Sequence, residues 1–273
     1  MALQTDKTGE SRLKKIGLIG VGNIGAFILD TINAKQLIPD AKICAVYYRS
    51  GKDKEMIARK YGVKVFTNIQ DFLKQELDLV IEAATIEAVK KYAAAIVKNK
   101  MDFLVVSVGA FADVAFYQEL QSLCKQNQTS VYLPSGAIGG LDIVKAAKAV
   151  GELSTVSITT RKPPQALMDQ PVTKETLLFE GSAKEAINKF PKNVNVAILL
   201  SLAGLGAEET RVRVVADPMV KRNTHTIEIA GSFGKSVITV ENEPMPNNPK
   251  TSYLAALSVI AALKNQQEFI HIG

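Results

Sequence analysis

The chain has 273 residues, 47% of them hydrophobic and 22% charged, with 33 basic against 27 acidic side chains for a net charge of +6. This size fits two ordinary domains, and the composition excludes a disordered or fibrous protein. Basic residues are scattered without a stripe or interleaved aromatics, and no apolar run nears the ~20 residues of a bilayer span, so neither nucleic acid nor membrane is an expected partner. Residues 1–14 contain no hydrophobic block of the kind a secretory signal carries, and Cys44 and Cys124 read as separate buried thiols in a reducing compartment. A cytoplasmic location is the expectation.

Short apolar runs alternate with helical spacing from Lys14 onward. Lys14–Gly20 predicts a first strand, Ile24–Ala34 a helix, Ala41–Tyr48 a second strand and Lys52–Tyr61 a second helix. Val63–Phe66 and Leu77–Ile81 are further strands separated by Asn68–Lys74. Glu87–Lys98 predicts a helix, Phe103–Ser107 a strand, Asp113–Gln126 a helix and Ser130–Leu133 a sixth strand. Strands alternating with helices, and nearly all apolar as in LDLVIEAA, indicate a doubly wound parallel sheet.

The rhythm changes after Pro134. Ala137–Val150 predicts a helix, Ser154–Arg161 a half-buried strand, and Thr176–Phe179 another strand before a helix that Ser182 would cap. Val194–Leu205 is an apolar helix. Glu209–Val215, Thr224–Ala230 and Lys235–Glu241 then follow as strands without helices between them, which indicates a mixed or antiparallel sheet. Asn242–Lys250 reads as a Pro/Asn-rich exit loop, and Thr251–Leu263 as a last helix returning to the first domain. The expected fold class is α/β, a Rossmann domain plus a second α+β domain with a mixed/antiparallel sheet. The dinucleotide-binding domain spans 1–135 and is completed by 246–273, while 136–245 forms a substrate, catalytic and oligomerisation domain.

Gly20-Val21-Gly22-Asn23-Ile24-Gly25 fits G-x-G-x-x-G and sits between the first strand and the first helix, where the chemistry requires it. Gly20 permits the tight turn, Gly22 lets backbone approach a pyrophosphate, and Gly25 lets helix and strand pack closely. Gly20, Gly22, Asn23, Ile24 and Gly25 are therefore the expected cofactor-binding turn. At the end of the second strand stand Tyr47-Tyr48-Arg49-Ser50, with no acid before Asp53 to take ribose hydroxyls. Arg49 and Ser50 suit a 2′-phosphate, so NADP is expected to be accepted at least as well as NAD.

There are two histidines, His225 at the start of a second-domain strand and His271 near the C-terminus. A histidine that begins a strand is structural more often than catalytic, and no cluster has metal-ligand spacing. Six blocks occur in order: Pro134–Asp142, Arg161–Pro164, Phe179–Ala183, Pro191–Ala197, Ala216–His225 and Asn248–Ser252. Together with the glycine turn they resemble the L-aspartate dehydrogenase family over nearly the whole of Lys15–Leu263. The resemblance implies oxidation of L-aspartate to iminoaspartate, feeding NAD biosynthesis, with NAD or NADP as cofactor. It implies that His225 is the active-site residue, and that Ala137 and Asn195 contact the cofactor near the nicotinamide.

A dicarboxylate substrate needs cations, and the candidates are Arg161, Lys162, Lys192, Arg222, Lys235 and Lys250, which residue type and spacing do not rank. Lys192 and Lys250 lie inside matched blocks and are the expected substrate-binding pair. A homodimer is expected, because the long strands Thr224–Ala230 and Lys235–Glu241 leave an edge or face to cover. The competing readings are another dehydrogenase of similar build, such as homoserine dehydrogenase or dihydrodipicolinate reductase, and a non-catalytic dinucleotide sensor. The paired histidines of the reductase are missing, and no DNA-binding module accompanies the glycine turn.

Overall fold

The computed structural model describes residues 13–50, 53–168, 172–190, 195–246 and 248–270, with backbone alone at 249 and 250. The chain divides into two compact units, one drawn from Met1–Pro134 and Val259–Ile272, the other from Ser135–Ser258.

The first unit runs β1 (Lys14–Ile19), α1 (Asn23–Leu29), β2 (Ala41–Tyr47), α2 (Lys54–Tyr61), β3 (Lys64–Phe66), α3 (Ile69–Leu73), β4 (Leu79–Glu82), α4 (Ile86–Lys98), β5 (Asp102–Val105), α5 (Val114–Asn127) and β6 (Val131–Tyr132). Its six strands are all parallel in the order β3-β2-β1-β4-β5-β6, the doubly wound arrangement expected from the alternation. Ile16 and Leu18 of β1 point to one face, where they pack with Ile28, Leu29, Ile43, Val46, Leu79 and Ile81. On the other face Gly17 leaves room for Phe72 and Leu77, whose side chains come within 2.6 Å of where a Cβ would stand.

Three helices of this unit begin on side-chain caps. Asn68, Thr85 and Asp113 accept from backbone N–H groups of α3, α4 and α5. The Asn68–Lys74 link thus contains a short helix, because Asn68 can bond Gln70 N at 2.8 Å. After Leu29 the first helix widens into one π turn over Asp30–Ala34, closed by Lys35 N donating to Asp30 O.

The second unit contains α6 (Leu141–Ala149), β7 (Leu153–Lys162), β8 (Thr176–Ser182), α7 (Ala183–Lys189), α8 (Asn195–Ala203), β9 (Arg211–Ala216), β10 (Asn223–Gly231), β11 (Gly234–Asn242), β12 (Pro244–Met245), β13 (Asn248–Ser252) and the start of α9 (Tyr253–Asn265). Its five-stranded sheet has the order β11-β10-β7-β9-β8 and is mixed, since β7 and β9 run parallel and the other pairs antiparallel. Val156 and Ile158 of β7, Val212 and Val214 of β9, and Ile227 and Ile229 of β10 are buried on one face, and α6 and α8 pack against β7. Ser182 caps α7 in a reciprocal capping box with Glu185.

Three sequence readings need correction. The segment 137–140 is a turn and the helix starts only at Leu141, because Gly136 and Gly140 take positive φ values of 65° and 78° that end any helical run. The presumed exit loop 242–250 contains the hairpin of β12 and β13, in which Pro244 pairs with Ser252 and Met245 with Asn248. Cys44 and Cys124 are free thiols, half-buried rather than buried.

Candidate active site

The glycine turn occupies the C-terminal edge of the parallel sheet. Gly20 has φ +94° and donates its N–H to Tyr47 O at 3.1 Å, and a Cβ there would lie 2.7 Å from Ala83 O. Any side chain would therefore be both strained and blocked. A Cβ on Gly25 would stand 2.2 Å from Gly20 O, so helix and turn touch backbone to backbone. Gly22 is different: nothing lies within 4 Å of its missing Cβ, and as N-cap of α1 it makes no side-chain cap hydrogen bond. The turn thus offers open backbone at the start of a helix, which fits the pyrophosphate of a dinucleotide. Asn23 and Ile24 form the first residues of that helix. Arg49 and Ser50 are exposed just beyond β2.

Next to this turn stands a buried acid that the apolar look of LDLVIEAA hides. Glu82, fully enclosed at the end of β4, accepts from Ala84 N at 2.7 Å, Ser107 N at 3.0 Å and Ser107 Oγ at 2.8 Å. Burial raises its pKa, and these hydrogen bonds oppose the rise. The carboxylate ties the loops after β4 and β5 together. A lone charge inside an apolar strand is the signal that marks it.

In the second unit His225 is buried at 4% exposure, opposite Thr160 in the register of β10 and β7. Thr160 Oγ1 lies 2.9 Å from His225 Nδ1. Strand alternation puts Thr160 and Lys162 on the same face of β7, and both are buried, as is Asn223 two residues before His225. Burial, and then the Lys162 ammonium, push the imidazole pKa down to about 3; burial also lowers Lys162 to about 8. At neutral pH the pair is a neutral imidazole beside a cation. Asn242 on β11 donates from Nδ2 to Ala137 O at 3.1 Å, fixing the 137–140 turn, while Gly136 N donates to Ser258 Oγ. Among the described residues, the buried Oδ1 of Asn242 has no hydrogen-bond partner.

The sheet therefore brings His225 together with Thr160 and Lys162, and the 137–140 turn with Asn242. Asn195 is exposed at the first turn of α8. Lys192 and His271 lie outside the described residues, and Lys250 is placed by its backbone in β13. Arg161 pairs with Glu175 and Asp217, Arg222 with Glu241 and Glu243, and Lys235 with Glu228.

Comparison with known proteins matches both parts of the chain. A family model described as "Aspartate dehydrogenase, C-terminal" matches residues 142–266, and one described as "Homoserine dehydrogenase, NAD binding domain" matches 20–134. The L-aspartate dehydrogenase of Methanosarcina mazei is 42% identical, with 95% of this chain and 99% of that protein covered. The chain belongs to the L-aspartate dehydrogenase family. Its relative from Nitrosopumilus maritimus is 41% identical, with 96% of this chain and 100% of the other covered. The crystal structure of aspartate dehydrogenase from Thermotoga maritima superposes with a TM-score of 0.79 at 33% identity, over 95% of this chain and 99% of that one. Scyllo-inositol dehydrogenase from Lactobacillus casei, at 14% identity and a TM-score of 0.58, shares the fold.

Proposed function

We propose that this member of the aspartate dehydrogenase family oxidises L-aspartate to iminoaspartate with NAD or NADP, and that His225 carries the proton transfer. The observation that supports it most is the buried imidazole held by Thr160 beside a lysine, on a chain whose glycine turn fits a pyrophosphate. A dinucleotide bound at that turn supplies the hydride acceptor for the substrate Cα–H. His225 is neutral at neutral pH and so able to take a proton from the amine or from the water that hydrolyses the imine to oxaloacetate and ammonia. Thr160 at Nδ1 sets the ring's orientation, which assigns the substrate's proton to Nε2. A substrate carboxylate nearby would raise the imidazole's proton affinity toward the working range.

Gly20, Gly22, Asn23, Ile24 and Gly25 would hold the pyrophosphate in this reading, and Ala137 and Asn195 remain proposed cofactor contacts. Lys192 and Lys250 remain proposed substrate contacts. Arg49, exposed past β2 with no acid between it and Asp53, favours acceptance of NADP, because guanidinium pairs well with a 2′-phosphate. We assign the product to NAD biosynthesis, the location to the cytoplasm, and the assembly to a homodimer that covers the edge strand β11.

Purified protein incubated with oxaloacetate, ammonium and NADH or NADPH should consume the reduced cofactor. His225→Ala should lower kcat by about 100-fold or more while leaving cofactor binding intact. Near-wild-type turnover would reject the role of His225, and dinucleotide binding with no turnover would reject the dehydrogenase. Arg49→Ala should raise KM for NADP(H) by about 10-fold and leave that for NAD(H) in place.

A further inference from the structure

We propose that Glu82 is a positioning residue for the cofactor: its buried carboxylate holds the two loops that receive the nicotinamide half of the dinucleotide. The proposal deepens the dehydrogenase reading and rests on its dinucleotide site. All the residues concerned belong to the first unit. In the strand order β3-β2-β1-β4-β5-β6 the chain winds outward from β1 to β3 on one side and from β4 to β6 on the other. A doubly wound sheet binds a dinucleotide outside the C-terminal ends of its strands, at the point where the order reverses. The end of β2 is where such a sheet reads the adenosine ribose, and the glycine turn after β1 is where it seats the pyrophosphate. The other half of the cofactor then falls to the far side of β1, at the loops after β4 and β5.

Those are the loops that Glu82 clasps. Ala84 N and Ser107 Oγ donate to one carboxylate oxygen at 2.7 and 2.8 Å, and Ser107 N donates to the other at 3.0 Å. The first loop also abuts the glycine turn. Ala83 N donates to Ile19 O, and a Cβ on Gly20 would meet Ala83 O at 2.7 Å and Ala84 Cβ at 2.8 Å. Ala84 and Thr85 are exposed beside these contacts, so the clasped loop forms surface next to the turn. In the sheet, Glu82 pairs with Ile19 of β1 and Val105 of β5, and Leu79, Val80 and Ile81 before it are buried and apolar. An apolar side chain would bury there without the desolvation cost of a carboxylate, so packing alone gives no reason for the charge. A carboxylate supplies acceptors that fix the amides of two loops at once. Loops fixed before the ligand arrives need less ordering when it binds.

Two ligands that share adenosine and pyrophosphate but differ in the other half test this on the full chain. NADH binding is followed by its fluorescence and ADP binding by calorimetry. Glu82→Gln should raise Kd for NADH by about 10-fold or more and leave Kd for ADP within about twofold. Ser107→Ala, which removes one donor of the clasp, should raise Kd for NADH by about 3-fold or more, again without change for ADP. Asp102→Asn is the control. Its carboxylate is also buried in this unit but sits at the opposite end of β5, accepting from Ser130 N, so the ratio of the two Kd values should stay as in the wild type. Equal losses for both ligands in Glu82→Gln, or no loss for NADH, would overturn the positioning role and leave the dinucleotide site standing. Should that variant fail to fold, Ser107→Ala decides by the same split. A wild type that binds NADH without turning over oxaloacetate and ammonium would overturn the dehydrogenase, while a loss confined to NADH in Glu82→Gln would still uphold the positioning role. A wild type that binds neither NADH nor NADPH would overturn both.

Discussion

Replacing His225 with Gln should flatten the acid limb of the stability profile. The imidazole titrates near 3 in the fold against an ordinary value of 6.5, first because it is buried and second because the Lys162 ammonium opposes its charge. A base with a depressed pKa binds fewer protons folded than unfolded. Stability is therefore held above about pH 6.5 and lost as pH falls through the window down to 3. Linkage over that window gives a loss of roughly 2 kcal/mol between about pH 7 and pH 5, and roughly 3 kcal/mol by about pH 4. Denaturant unfolding at a series of pH values would measure it, on the wild type and on His225→Gln, which keeps a polar group for Thr160 but does not titrate. The wild type should lose about 2 kcal/mol more than the variant from pH 7 to 5. Parallel curves for the two proteins would refute the burial of a neutral imidazole.

Lys162→Met should stabilise the unliganded protein near neutral pH. Holding the ammonium at about 8 instead of 10.5 costs on the order of 3 kcal/mol below pH 8, a cost the wild type escapes as pH rises through that window, and urea curves at about pH 7 and pH 10 should show the variant losing this dependence. Gly25→Ala would set a methyl 2.2 Å from Gly20 O; we expect a loss of about 1–3 kcal/mol in thermal unfolding and of NADH binding followed by fluorescence. Glu82→Gln replaces one acceptor with a donor facing Ser107 or Ala84, and should lower stability by about 1–3 kcal/mol in denaturant titration. Ser182→Ala removes the capping box of α7 and should cost about 1 kcal/mol in the same measurement.

The first unit was legible because its signals agree with one another. The run Lys14–Ile19, the glycine turn and the following helix are consecutive, so local pattern and ligand chemistry point the same way. The mixed sheet was likewise visible from three successive strands. Pro244 and Pro249 disguise a short hairpin as a loop, and the start of the Ala137–Val150 run reads as helix although the positive φ of Gly136 and Gly140 makes it a turn. The candidate cations could not be ranked because lysine looks solvated by default. Only the register separates them: pairing of His225 with Thr160 puts Lys162 on the inward face and its neighbour Arg161 on the other. Parity along Ser154–Arg161 gives the alternation, but only the strand partner gives its sign.

The helix that ends the described chain has a consequence for synthesis. Val259 and Leu263 of α9 lie in the same apolar cluster as Ile16, Leu18 and Ile28, and Lys14 Nζ bonds Gln266 across 252 positions of sequence. As the polypeptide emerges from the ribosome, the nucleotide-binding sheet waits for its last covering piece until the whole second unit has been made. In that interval part of its greasy face is open to chaperones and to other nascent chains. Truncation within α9 should therefore impair the fold of the N-terminal unit, hundreds of residues upstream, before it disturbs the histidine-bearing sheet.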